Sequence, residues 1–171
     1  MGTTIDRMQF LKGDFSGSGL PVRPPWSLPE QEFVDRCERC DDCVKCCPEA
    51  VLVRGRGGYP VVDFAKGGCT FCGDCLDACK GRALVGEAED EASAWTLRAG
   101  INGACLAVKG VVCRSCGDVC DESAIRFKLE VGGIARPLLD QDQCNGCGAC
   151  FAVCPVRAVR IAPVERLAQA V

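Results

Sequence analysis

Histidine is absent from all 171 residues. That removes imidazole acid–base catalysis, histidine-containing zinc sites, haem ligation by histidine and Rieske-type centres together. Aromatic residues are few, with seven Phe, two Trp and one Tyr, so a large aromatic core is not available. No apolar run approaches the length of a membrane span, because Lys109 interrupts Leu106 to Val112; membrane insertion is not expected. No hydrophobic leader follows Met1, where Asp6, Lys12 and Asp14 break the first residues, and a cytoplasmic location is expected. A Gly-rich nucleotide fingerprint and a nucleophile–base arrangement are also lacking, so the chain is not expected to be an enzyme.

Cysteine is what the chain has in excess. Its 17 cysteines are about a tenth of all residues, the density at which small folds depend on staples rather than apolar core. Many of these thiols lie two residues apart, which suits a metal better than a disulfide framework, and a reducing compartment agrees with that. The formal charge of −3 becomes more negative once thiolates hold metal cores. Nucleic acid is therefore not an expected partner, and a basic protein patch is.

The most regular stretch is Cys144-Asn145-Gly146-Cys147-Gly148-Ala149-Cys150-Phe151-Ala152-Val153-Cys154-Pro155. Its spacing, C-x2-C-x2-C-x3-C-P, is the run by which bacterial ferredoxins hold a [4Fe-4S] cluster. Three thiolates must converge on corners of one small cube, so the chain between them curls tightly. Gly146 and Gly148 let it do so without a Cβ penalty, and amides along the curl face the cluster sulfurs. The same spacing recurs at Cys37, Cys40, Cys43 and Cys47, followed by Pro48, and at Cys69, Cys72, Cys75 and Cys79, followed by Lys80. Cys46 is an extra thiol beside Cys47; spacing and the following proline favour Cys47 as the ligand and leave Cys46 as a packed small hydrophobe or a spare. A third motif is irregular: Cys113-x2-Cys116-x3-Cys120 is completed upstream by Cys105, with seven residues between it and Cys113. Four clusters are expected, or three if the Cys105, Cys113 and Cys116 site is degenerate. Zinc is the competing metal, but paired C-x2-C knuckles would suit it better than a triplet plus a fourth thiol.

The chain repeats itself. Pro60-Val61-Val62-Asp63 before the second motif answers Pro137-Leu138-Leu139-Asp140 before the fourth, each after a Gly-Gly pair. Cys79-x3-Ala83, Cys120-x3-Ala124 and Cys154-x3-Ala158 share one ending. The expected fold class is α+β, a tandem duplication of the bacterial two-[4Fe-4S] ferredoxin fold with short strands and helices. The expected organisation is an extended N-terminal segment (1–30), a first two-cluster unit (31–86), an acidic linker (87–94), a second unit (95–165) and a tail (166–171). In such a unit the fourth cysteine of each motif ligates the other cluster. That rule groups Cys37, Cys40, Cys43 and Cys79; Cys69, Cys72, Cys75 and Cys47; Cys144, Cys147, Cys150 and Cys120; and Cys105, Cys113, Cys116 and Cys154. Locally, residues 51–53 and 59–63 read as two strands joined by the turn-rich Arg54-Gly55-Arg56-Gly57-Gly58. Alternation from Trp95 to Ile101 reads as a half-buried strand, and Ala158 to Ile161 as a last one. Trp26 and Leu28 are expected to dock on a neighbouring surface. Asp6-Arg7-Met8 echoes a twin-arginine motif with Met8 in place of the second arginine, and is not read as an export signal.

Taken with Arg23-Pro24-Pro25-Trp26, the Cys37 to Cys43 motif, Arg54 to Pro60, and Ala104-Cys105-Leu106-Ala107, these features resemble the NapF family. Its members are ferredoxin-type accessory proteins of the periplasmic nitrate reductase system. The resemblance implies a cytoplasmic iron–sulfur protein whose partner is the catalytic subunit of that reductase. It would act before export of that subunit, helping to assemble or reduce its iron–sulfur centre. A general one-electron carrier between a donor and a reductase is the alternative.

Overall fold

In a computed structural model of the chain, residues 21–130 and 132–167 are described. The twin-arginine-like residues 6–12 and the last residues, 168–171, lie outside them. Helix α1 (Glu30–Arg36) precedes the first motif. Helices α2 (Asp42–Cys46), α3 (Asp74–Asp77), α4 (Ser115–Asp118) and α5 (Ala149–Ala152) each carry the third cysteine of one motif, and α6 (Val164–Leu167) follows the last strand. These helices are short because a helix of ordinary length would carry the next cysteine away from its partners. The strands are β1 (Leu52–Arg54), β2 (Pro60–Val62), β3 (Leu97–Ile101), β4 (Ile125–Leu129), β5 (Ala135–Leu139) and β6 (Val159–Pro163). They form three two-stranded antiparallel sheets, β1–β2, β3–β6 and β4–β5.

The sequence repeat is a structural repeat down to single hydrogen bonds. Hairpin β1–β2 sets Leu52 opposite Val62, and β4–β5 sets Ile125 opposite Leu139. Beyond them Asp63 N–H donates to Val51 O and Asp140 N–H to Ala124 O, both at 2.8 Å. Pro60 opens β2 and Pro137 is the middle residue of β5, each in a two-stranded sheet where every strand is an edge, the setting that tolerates proline. The Gly-Gly pairs supply the reversals: Gly57, Gly58, Gly132 and Gly133 all have positive φ, between 67° and 94°. The outer pairing is unequal. In the second half β3 and β6 match five residues, Leu97 with Pro163 through Ile101 with Val159, whereas the first half has a single bridge, Ser27 with Leu84.

With so few large side chains, the core is thin and locally assembled. Trp26, Phe33, Leu52, Phe71, Cys75 and Leu84 form the main cluster, and Ala99, Ile125, Cys150 and Val159 a second. Residues 24–26, placed by sequence in an extended segment, are in fact core: Pro24 and Pro25 are fully buried and Trp26 is 3% exposed. Prolines exclude a helix there but leave an extended strap, and Trp26 pins it. Its N–H donates to Ala94 O at 2.7 Å, its carbonyl accepts from Val85 N–H at 2.8 Å, and its indole N–H reaches Asp90 O at 3.3 Å. The acidic run from Glu87 to Glu91 keeps most of its side chains in water, yet its backbone is held down by that indole.

The halves touch directly. Phe64 meets Trp95 edge-on at 5.9 Å, Trp95 indole N–H donates to Asn145 O at 2.9 Å, and Cys69 N–H donates to Cys147 O at 2.8 Å. Two glycines permit the approach: a Cβ on Gly148 would strike the Phe64 ring, and one on Gly68 would come within 2.8 Å of the Ala149 Cβ. Trp26→Ala should lower stability by about 3–5 kcal/mol, the usual cost of emptying a buried tryptophan site. Anaerobic urea titration of the metal-loaded protein checks this, and an unchanged midpoint would mean the strap is not structural.

Candidate metal centres

Each regular motif forms its curl with two left-handed residues, one between the first and second cysteines and one just after the second. These are Arg39 and Asp41 (φ 56° and 62°), Phe71 and Gly73 (53° and 83°), and Gly146 and Gly148 (77° and 85°). Asp41, Gly73 and Gly148 then begin α2, α3 and α5. A non-glycine residue pays about 1–2 kcal/mol in this region, so something must hold it there. The Arg39 guanidinium lies 5.2 Å from the Tyr59 ring, Asp41 pairs with Arg54 at 2.8 Å, and Phe71 is packed between Trp26 and Trp95. The irregular motif lacks this device. Arg114, which precedes α4, has φ −133°; the reversal lies instead in the seven-residue spacer from Cys105, where Gly110 has φ 84° and Val111 N–H donates to Leu106 O at 2.9 Å.

A second corner follows every fourth cysteine, the irregular motif included. Ala50, Arg82, Ser123 and Arg157 all have φ of 50–52°. Their N–H groups donate back to Cys47 O, Cys79 O, Cys120 O and Cys154 O at 2.9–3.2 Å. The next residue, Val51, Ala83, Ala124 or Ala158, is 1% exposed in each case. The Cys-x3-Ala pattern was thus the trace of a buried anchor behind a left-handed turn. Lys80 and Asp121, standing where proline is usual, leave this corner unchanged.

The thiols gather across motifs. Burial pushes Cys43 up to about 12, and Cys37, Cys40 and Cys79 raise it further. Cys37 is likewise raised by burial, lowered in part by the Arg39 amide, and raised by Cys79 and Cys40. Burial takes Cys69 to about 12; the Phe71 N–H, 3.4 Å from its sulfur, opposes this, and Cys47 and Cys72 add to it. Cys75 is pushed to about 12 by burial and then by Cys69, Cys46, Cys43 and Cys72. Cys150 reaches about 12 through burial and then Cys147, Cys144, Cys116 and Cys120. Cys147 is raised by burial, eased by the Ala149 amide, and raised by Cys144, Cys120 and Asp121. Cys116 rises to about 11 by burial, with Cys105, Cys113 and Cys154 as its charged neighbours and its own amide opposing them. Thus Cys79 is a neighbour of Cys37 and Cys43, Cys47 of Cys69, Cys120 of Cys147 and Cys150, and Cys105, Cys113 and Cys154 of Cys116. Cys46 also neighbours Cys43 and Cys75, Cys43 also neighbours Cys75, Cys147 also neighbours Cys69, and Cys116 also neighbours Cys150.

Packing tells the same story for the second group. Cys47, Cys69, Cys72 and Cys75 line one apolar cavity that is walled by Pro25, Trp26, Leu52, Phe71 and Trp95. Buried sulfurs without cations nearby are disfavoured as bare thiolates, and coordination to iron would offset that cost. Backbone N–H groups already face several of them: Ala99 N–H lies 3.3 Å from Cys144 Sγ and Ala158 N–H 3.2 Å from Cys154 Sγ. Among the described residues, no three Cys, Asp or Glu side chains come together as tightly as a single ion requires. Cys46 donates its thiol to Cys43 O at 3.4 Å, and its neighbours include Asp74, Cys47 and Cys72, between the first two groups.

A 4Fe-4S dicluster domain family matches residues 29–84, and a second family of the same description matches residues 111–158. The chain is 42% identical over 159 residues to ferredoxin-type protein NapF of Escherichia coli strain K12, covering 93% of this chain and 95% of that one. It is 43% identical over 165 residues to the NapF of Haemophilus influenzae, covering 91% and 92%. It is 32% identical over 161 residues to the methylamine utilization ferredoxin-type protein MauM of Methylorubrum extorquens, covering 84% and 73%. Two iron–sulfur dicluster units in tandem, matched over nearly the whole chain, place this protein in the ferredoxin-type NapF family.

Proposed function

We propose that this chain is a cytoplasmic iron–sulfur accessory protein that binds the catalytic subunit of periplasmic nitrate reductase before its export. Its task there is to help assemble or reduce the iron–sulfur centre of that subunit. The observation that carries this reading is the extent of similarity to NapF, which spans the irregular Cys105 to Cys120 motif as well as the regular ones. Four [4Fe-4S] clusters are held by crossed sets: Cys37, Cys40, Cys43 and Cys79; Cys69, Cys72, Cys75 and Cys47; Cys144, Cys147, Cys150 and Cys120; and Cys105, Cys113, Cys116 and Cys154. When bound, each cluster exchanges one electron at a time.

The chain's own residues set the conditions for that exchange. The amides of Phe71, Ala99 and Ala158 donate to sulfur and so favour the added negative charge. Trp26, Phe71 and Trp95 wall the second group on its buried side. Cys40 and Cys72 are exposed, which gives a partner close access at the first and second groups. No helix among the described residues is long and apolar enough to cross a membrane.

Affinity capture from an anaerobic cytoplasmic extract tests the role. Stable recovery of the unexported reductase subunit is the expected result. Recovery of none would favour a general one-electron carrier instead, and nitrate reduction surviving deletion of the chain, with mature enzyme assembled another way, would count against an obligatory carrier role. The crossing has its own test in Cys154→Ala, which should remove about four irons and leave the Cys144 group loaded. Loss of the Cys144 cluster alone would show that each motif serves only itself.

A further inference from the structure

The two units meet at their cysteine motifs and not at their outer surfaces. Cys69 N–H donates to Cys147 O at 2.8 Å, so a first-position cysteine of one unit is bonded to a second-position cysteine of the other. The junction is braced on either side by Phe64 against Gly148, Gly68 against Ala149, and Trp95 bonded to Asn145. Nothing as bulky as a side chain separates the two backbones there: each glycine stands where a Cβ would collide. Within each unit the motifs share a core: Cys43 packs against the cluster that holds Cys75, and Cys116 against the cluster that holds Cys150.

From this contact we infer that the four sites form one continuous electron path across both units, rather than two independent pairs. The inference rests on the ligand sets proposed above. The order along the path is the Cys37 group, the Cys69 group, the Cys147 group and the Cys105 group, and the crossing between units runs through the hydrogen bond from Cys69 to Cys147. With clusters held at these sites, one electron from a low-potential one-electron donor, such as a reduced flavoprotein or ferredoxin, would enter at one end and pass from site to site. Each donor site would be oxidised by one electron as the next is reduced by one, with no bond formed or broken and no proton moved. A partner at the Cys37 end and another at the Cys105 end can then exchange electrons without sharing a surface.

The double variant Cys40→Ala with Cys113→Ala removes one ligand from each end site and none from the central two. After anaerobic purification it should retain about eight irons per chain. Reduced with dithionite, its electron paramagnetic resonance spectrum should show mutual broadening of the two remaining centres. Two sharp, uncoupled signals from a chain with eight irons would overturn the path and leave the ligand sets standing. Fewer than eight irons would count against the ligand sets, and the unsubstituted loaded protein then decides the contact. Its Cys69 amide should exchange hydrogen at least about 100-fold more slowly than an unstructured amide. Exchange near the unstructured rate would mean the two units are not bonded there, and the path would fail.

Discussion

Thiols from motifs distant in sequence are drawn together in this protein, and the crossed sets proposed for them tie the rest of the structure. Cys79 is among the charged neighbours of Cys43, and Cys105 and Cys154 are among those of Cys116. A chain with this arrangement cannot fold one motif at a time, because each group ties the start of a unit to its end. The apolar core does not supply the missing cohesion. Its two main clusters are built around a handful of side chains, several of them the cysteines themselves. Coordination free energy is then folding free energy. The buried sulfurs that would be costly as free thiolates are what the loaded fold is built around.

The gathering imposes strain, and the molecule places it with care. Among the described residues eight non-glycine residues have positive φ, and seven of them lie in the cysteine curls or in the corners after the fourth cysteines. Trp26 is the eighth, and three hydrogen bonds through its backbone and indole hold it. At the corners a back-donated amide and a buried anchor residue hold the turn, and this works with alanine, arginine or serine at the strained position. The irregular motif keeps the corner and gives up the curl. Its long spacer is therefore a different route to the same destination, with Cys105 buried and close to Cys116.

Much of this was legible because cluster ligation writes itself as spacing. The thiol groupings follow from a rule about which cysteine crosses. The β1–β2 hairpin and β3 followed from a glycine-rich turn and from alternation between Leu97 and Ile101. What escaped was whatever has no local period. Hairpin β4–β5 alternates poorly, since Leu129 and Leu138 point to solvent; its only signal was the Gly-Gly and Pro-x-x-Asp echo of the first unit. Residues 24–26 read as an extension because proline argues against helix, and a buried strap leaves no pattern of its own. The contact between units was invisible for the same reason. Gly148 looked like a turn glycine and Gly68 carried no signal at all, and only the position of Phe64 and Ala149 shows that both are clearances.

The central claim is that four crossed thiol groups each hold a four-iron core. Iron, acid-labile sulfide and zinc measured together on anaerobically purified protein test it most directly. The account predicts about sixteen irons and about sixteen sulfides per chain, with no stoichiometric zinc. About twelve of each would remove the irregular site from the account, and stoichiometric zinc with little sulfide would contradict it altogether.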